Sequence, residues 1–147
     1  MPNNEKQERE AFLEIHVRFT PGDITALRGG SGEEVLMIPF GGTASGSVFN
    51  GEVCPGAADV QTVNAVGVRH MFARYMLRGT DSAGKACMLY VENNGWFVDG
   101  PGPGQRFDTV PTFCTDSAAL AGFLHRRSFV GEGVPGPEGL VIRFYEA

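Results

Sequence analysis

Lysine is almost missing from this chain: Lys6 and Lys85 stand against ten arginines, and the formal net charge over 147 residues is -5. A nucleic-acid binder needs clustered positive charge to replace the counterions of the phosphate backbone, and an anionic membrane surface makes a similar demand. Both partners are therefore disfavoured. No stretch approaches the ~20 apolar residues needed to cross a bilayer as a helix. The polar segment 1–10 also lacks the apolar centre of a secretory signal, so a cytoplasmic location is expected. Cys54, Cys87 and Cys114 are odd in number and far apart, which fits reduced, buried thiols better than a disulfide framework or a zinc site. His16, His70 and His125 lack the spacing of metal ligands, so neither a metal nor a cofactor is expected. The signature of a serine nucleophile on a strand-to-helix turn, Gly-x-Ser-x-Gly, is also missing.

What the chain has in excess is glycine, at 21 positions, with prolines scattered among short apolar runs. Such a pattern belongs to an all-β protein rich in turns. Strands are predicted over residues 12–19, 34–40, 43–53, 61–66, 71–78, 85–92, 109–114, 128–131 and 140–145. Their spacing implies a sandwich or a barrel. One short helix is predicted on the surface at 117–124, capped by Asp116 or Ser117. The glycine-rich segments 29–32, 54–56, 99–104 and 135–137 supply turns. Segment 41–46 superficially resembles a phosphate loop, but it feeds a strand rather than a helix. Length suits one domain at 11–147, preceded by a poorly ordered tail at 1–10.

Within strand 71–78, alternation places Phe72, Arg74 and Met76 on one face and Ala73, Tyr75 and Leu77 on the other. Both faces read as buried. A guanidinium cannot shed its proton on burial, so Arg74 needs a carboxylate such as Asp59 or Glu52, or else an anionic ligand. The general excess of arginine is better explained by genomic codon bias than by selection for binding.

Several segments together resemble the family catalogued as domain of unknown function 3237. They are Gly41 to Gly46, then Gly51-Glu52-Val53-Cys54-Pro55-Gly56-Ala57-Ala58-Asp59, Ala73-Arg74-Tyr75, Tyr90-Val91-Glu92-Asn93-Asn94-Gly95, Thr112-Phe113, Arg126 with Phe129-Val130-Gly131, and Val141-Ile142-Arg143-Phe144-Tyr145-Glu146. The resemblance implies a closed or nearly closed, mostly antiparallel β-barrel of about eight or nine strands with at most one short helix. It implies no chemistry. The family's aspartate two positions before the arginine is Phe72 in this chain, its asparagine before the second arginine is His125, and the loop after Gly95 is shorter.

Three readings of function follow. In the first, the barrel binds a small organic anion: Arg74 and Arg126 anchor its charge, and Tyr75, Tyr90, Asp59, Asn93 and His125 add hydrogen bonds beside Phe72. In the second, a cofactor-free isomerase, cyclase or lyase uses Asp59, His70, Tyr90 or His125 to move protons. The third is an interaction module without a ligand. If Arg74 points inward, the row Ala73, Tyr75 and Leu77, continued by Cys87, Leu89 and Val91, faces outward and predicts a homodimer or larger homo-oligomer.

Overall fold

The computed structural model describes residues 10–97 and 106–147, so the expectations for the N-terminal tail up to residue 9 and for the loop at 99–104 lie outside the described residues. The strands are β1 (Leu13–Phe19), β2 (Thr25–Arg28), β3 (Glu34–Ser45), β4 (Phe49–Val53), β5 (Ala58–Val63), β6 (Arg69–Asp81), β7 (Ala86–Phe97), β8 (Phe107–Thr115), β9 (Phe129–Gly136) and β10 (Gly139–Glu146). One α-helix, α1 (Ala118–Leu124), joins β8 to β9. Every pairing is antiparallel, in the order β1-β10-β9-β8-β7-β6-β4-β3-β2, and β1 also pairs with β3 to close the barrel.

Two positions around the barrel are each filled by a pair of short strands. β2 continues the line of β1 after a 3-10 turn at Pro21–Asp23 and pairs with the start of β3. β4 and β5 lie end to end between β3 and β6, β5 covering Glu34–Pro39 of β3 and β4 covering Thr43 and Ala44. The described strands thus form a closed eight-position barrel with two extra strands.

Several predicted boundaries move, for physical reasons. The segments 34–40 and 43–53 are not two strands split at Gly41-Gly42, because β3 runs unbroken to Ser45 and a new strand starts at Phe49. Gly42, at φ +143, brings β3 so close to β1 that a Cβ there would lie 1.9 Å from the His16 carbonyl oxygen. Exposed at all four residues, β2 has no apolar alternation to reveal it. β9 runs beyond residue 131 and takes in Pro135 and Gly136, residues that read as turn.

Inside the barrel, Leu13, Ile15, Phe49, Leu77, Leu89, Val91 and Phe144 are almost or wholly inaccessible. Tyr75 and Cys87 join them. The row Ala73, Tyr75, Leu77, Cys87, Leu89 and Val91 therefore faces inward, which overturns the surface on which self-association was expected. Arg74 is exposed on the outside, in register with Glu92. The reason is packing: the odd-numbered face of β6 carries the bulkier apolar set, and barrel closure buries that set. Of the thiols only Cys87 is buried; Cys54 is half-buried and Cys114 exposed. No helix among the described residues is long and apolar enough to cross a membrane.

Rather than lying on the surface, α1 closes one end of the barrel. Leu120 and Leu124 enter the core, and Phe123 packs edge-on against Phe12 at 5.2 Å. Ser117 caps the helix by accepting from the Leu120 amide and donates its own hydroxyl to Asp81 at 2.7 Å. Asp81 also accepts from the amides of Ala83 and Lys85, which shapes the β6–β7 turn. The Ser117 bond first, then these amides, hold the Asp81 carboxyl below its usual range. A carboxyl lowered in this way stabilises the fold above the unfolded value, and its contribution is lost as pH falls through the folded one. Asp81→Ala is accordingly expected to unfold at lower temperature than the parent at pH 7, with the gap narrowing toward pH 3 in paired thermal melts.

Candidate binding pocket

Among the described residues, three small ones leave the interior at the end of the barrel opposite α1 unfilled. Asp59 on β5 is in register with Ala73 on β6, and Ala73 is in register with Asn93 on β7. Two strand spacings put the Asp59 and Asn93 backbones roughly 9–10 Å apart. Only the Ala73 methyl stands between their side chains. One step nearer the rim, Thr109 on β8 is in register with Gly131 on β9. A Cβ on Gly131 would lie 2.2 Å from Thr109 Oγ1, and one on Gly95 would lie 3.3 Å from its Cγ2.

The result is a cavity of about 40 Å³ walled by Phe19, Phe40, Met71, Tyr75, Phe107 and Ile142 and bearing the polar groups of Asp59, Asn93 and Thr109. One water requires on the order of 10–15 Å³ on the same measure. A few waters or one small organic group fit. Asp59 Oδ1, Asn93 Oδ1 and Thr109 Oγ1 are buried with no hydrogen-bond partner among the described residues. Asn93 and Thr109 are only 6% and 5% exposed. Buried polar atoms are nearly always paired, so three orphans in one cavity mark a place made for something else.

Burial pushes the Asp59 carboxyl above its ordinary value, against the downward pulls of the Gln61 hydrogen bond, His70, the Phe72 backbone and Arg69. Its second oxygen, Oδ2, accepts from Gln61 Nε2 at 2.9 Å. Gln61 Oε1 in turn accepts from Arg69, whose other nitrogen pairs with Glu34 at 3.2 Å. This chain holds the carboxyl through Oδ2, and Oδ1 has no partner among the described residues. Burial also raises the Tyr75 phenol, so it stays neutral, and its ring meets Phe40 edge-on at 5.2 Å.

Of the residues singled out from sequence, the structure brings Asp59, Tyr75 and Asn93 together and places the others elsewhere. Tyr90 lies on the outer side of β7 and donates to Glu92 at 2.7 Å, with Arg74 close enough to act on its phenol. Phe72 is also on the outside, in line with the stacked rings of His70 and Trp96, whose centroids are 4.7 Å apart. His125 ends α1 and accepts from the Thr115 amide, and Arg126 is exposed beside it at the closed end. Thr109 escaped sequence reading, because its only signal is the pair of glycines that face it across two strand registers.

A larger groove of about 370 Å³ runs along the outer face past Trp96, Val110, Glu132 and Tyr145. Its Glu132 is already paired with Arg106 and, at 3.8 Å, with Arg143. The interior cavity is smaller but holds the unsatisfied atoms, and those atoms decide between the two. Among the described residues no group of three or more His, Cys, Asp or Glu is placed to hold a metal ion.

Fold and cavity together define a closed antiparallel β-barrel with a polar-lined pocket in an otherwise apolar end. The chain belongs to the family described as Protein of unknown function (DUF3237), which it matches over residues 8–147. It is similar to a crystal structure of a protein with unknown function from Clostridium acetobutylicum, with TM-score 0.74, 27% identity and 95% of each chain covered. A conserved protein of unknown function from Rhodopseudomonas palustris has TM-score 0.73 and 24% identity, over 95% of this chain and 96% of that one. A β-barrel-like protein from Acinetobacter baumannii has TM-score 0.70 and 20% identity, over 95% and 94%. The last two bear on fold alone. No curated protein matches the chain.

Proposed function

We propose that this end of the barrel takes the polar end of a small, mostly apolar and uncharged molecule through hydrogen bonds to Asp59, Asn93 and Thr109, with the rest of the molecule at the mouth of the cavity. The observation that carries this reading is the convergence of three orphaned polar atoms on one apolar cavity. Binding sites are mostly hydrophobic pockets with a few placed polar groups that fix orientation, and barrels of this size often hold one small ligand. An anion is disfavoured, because among the described residues the lining carries a carboxyl and no Lys, Arg or His. Arg74, Arg126, His125, Tyr90 and Phe72 have no part in this pocket.

A thermal-shift and NMR screen of monocyclic phenols, lactams and cyclic ketones, with benzoate as the anionic comparison, tests the proposal. Neutral members are expected to raise the melting temperature and perturb Asn93 and Thr109, and benzoate is not. Ala73→Leu, which fills the gap between Asp59 and Asn93, is expected to lose at least ten-fold in affinity with the fold intact. Perturbations confined to the outer face, or unchanged affinity in Ala73→Leu, would sink the pocket as the site.

A further inference from the structure

Resting on that binding reading, we infer that the same cavity catalyses proton transfer within a small, mostly hydrocarbon carbonyl compound, with Asp59 as the base. Gln61 occupies Oδ2 of the carboxyl, and Oδ1 is buried without a partner among the described residues, on a side chain that lines the cavity. The group is therefore held by one oxygen and presents the other, as a positioned base requires. Thr109, Asn93 and Asp59 can each both give and accept a hydrogen bond, the first two through hydroxyl and amide and the third by taking up a proton. A carbonyl and its enol differ in the same respect, since the oxygen is an acceptor in one and a donor in the other. Among the described residues the lining holds no cation, and a proton shift leaves the total charge of the site unchanged, the negative charge passing from the carboxylate to the ligand oxygen and back. Burial, which raises the proton affinity of Asp59, makes it a stronger base than an exposed carboxylate.

The step balances without a co-reactant. Asp59 Oδ1 removes a proton from the carbon beside the carbonyl; the C–H electron pair becomes part of a new C=C bond, and the carbonyl π pair moves to oxygen. The Thr109 hydroxyl, buried and without a partner among the described residues, donates to that oxygen as its charge grows. In a β,γ-unsaturated ketone, Asp59 then returns the proton to the γ carbon, the double bonds shift into conjugation, and the carboxylate is regenerated.

Cyclohex-3-en-1-one in D₂O is a suitable probe, its conversion to cyclohex-2-en-1-one followed by NMR and its binding by line broadening. The expected result is a rate about 10²–10⁴-fold above buffer. Asp59→Asn is expected to lose that acceleration and still bind the ketone, and Ala73→Leu to lose both. If Asp59→Asn does not fold, Asp59→Glu moves the carboxyl by one methylene and is expected to lose at least ten-fold in the turnover of bound ketone, whatever its affinity. A ketone that binds without faster isomerisation, or a variant at Asp59 with full activity, overturns proton transfer and leaves the binding reading in place. If phenols or lactams bind and ketones do not, the carbonyl class falls. Failure of every neutral probe to bind overturns the reading beneath both.

Discussion

Asp59→Leu is expected to make the ligand-free protein more stable and unable to bind. The substitution removes a buried carboxyl with one unpartnered oxygen, a group whose desolvation costs about 1–3 kcal/mol. It also adds apolar volume next to an empty space of about 40 Å³. The gain of about 1–3 kcal/mol is offset in part by the bond Gln61 loses. The pH dependence separates this cause from general repacking. A carboxyl whose folded value lies above its unfolded one takes up protons on folding, so its favourable contribution is complete below the unfolded value and is lost as pH rises through the folded one. The parent should therefore weaken as pH rises from the ordinary carboxyl range through the raised value of Asp59, whereas Asp59→Leu should not. The advantage of the variant thus grows with pH. Urea denaturation of both proteins between pH 4 and pH 8 measures it, and an advantage that shrinks with rising pH would rule out desolvation of the carboxyl as its source.

A loss of about 3 kcal/mol or more is expected for Gly79→Ala, at the upper end of overpacking effects. Gly79 on β6 is in register with Gly51 on β4. A Cβ there would lie 2.0 Å from the Asn50 carbonyl oxygen and 2.6 Å from Gly51 Cα. Both are backbone atoms of a paired strand, so no rotamer relieves the clash and β4 must separate from β6. The opposite sign is expected at Gly122. It lies within α1, and a Cβ there meets nothing within 4 Å, so Gly122→Ala should stabilise by about 0.5–1 kcal/mol through helix propensity. Guanidinium unfolding of the two variants decides whether contact or chain entropy governs each glycine. Equal effects at the two positions would contradict that division.

Gly79 also shows how much was legible in advance. Turn composition and short apolar runs were enough to expect an all-β chain, and the family resemblance supplied closure. The glycines of that resemblance fit this role, because Gly42, Gly46 and Gly51 sit where a side chain would strike the backbone of another segment. Alternation in 71–78 correctly divided the residues into two faces, but could not say which one turns inward. Arg74 looked buried because its flanking Phe72 and Met76 are apolar, yet further along the same face come Arg78 and Thr80, both exposed. Asp59 and Asn93 were visible as polar residues in strand-like surroundings. Their meeting across Ala73 depends on strand register, which no local pattern encodes.

The position shared by β4 and β5 divides the pocket between unequal supports. Asn93 and Thr109 stand on long strands that are paired on both sides. Asp59 stands on a six-residue strand bounded by Cys54–Ala57 on one side and the Asn64–Gly67 turn on the other. Substitutions or length changes in those two short connections would shift the carboxyl relative to a fixed amide and hydroxyl while leaving the opposite, filled end of the barrel alone. Variation there offers evolution a route to new ligand preferences that does not pass through an unfolded protein.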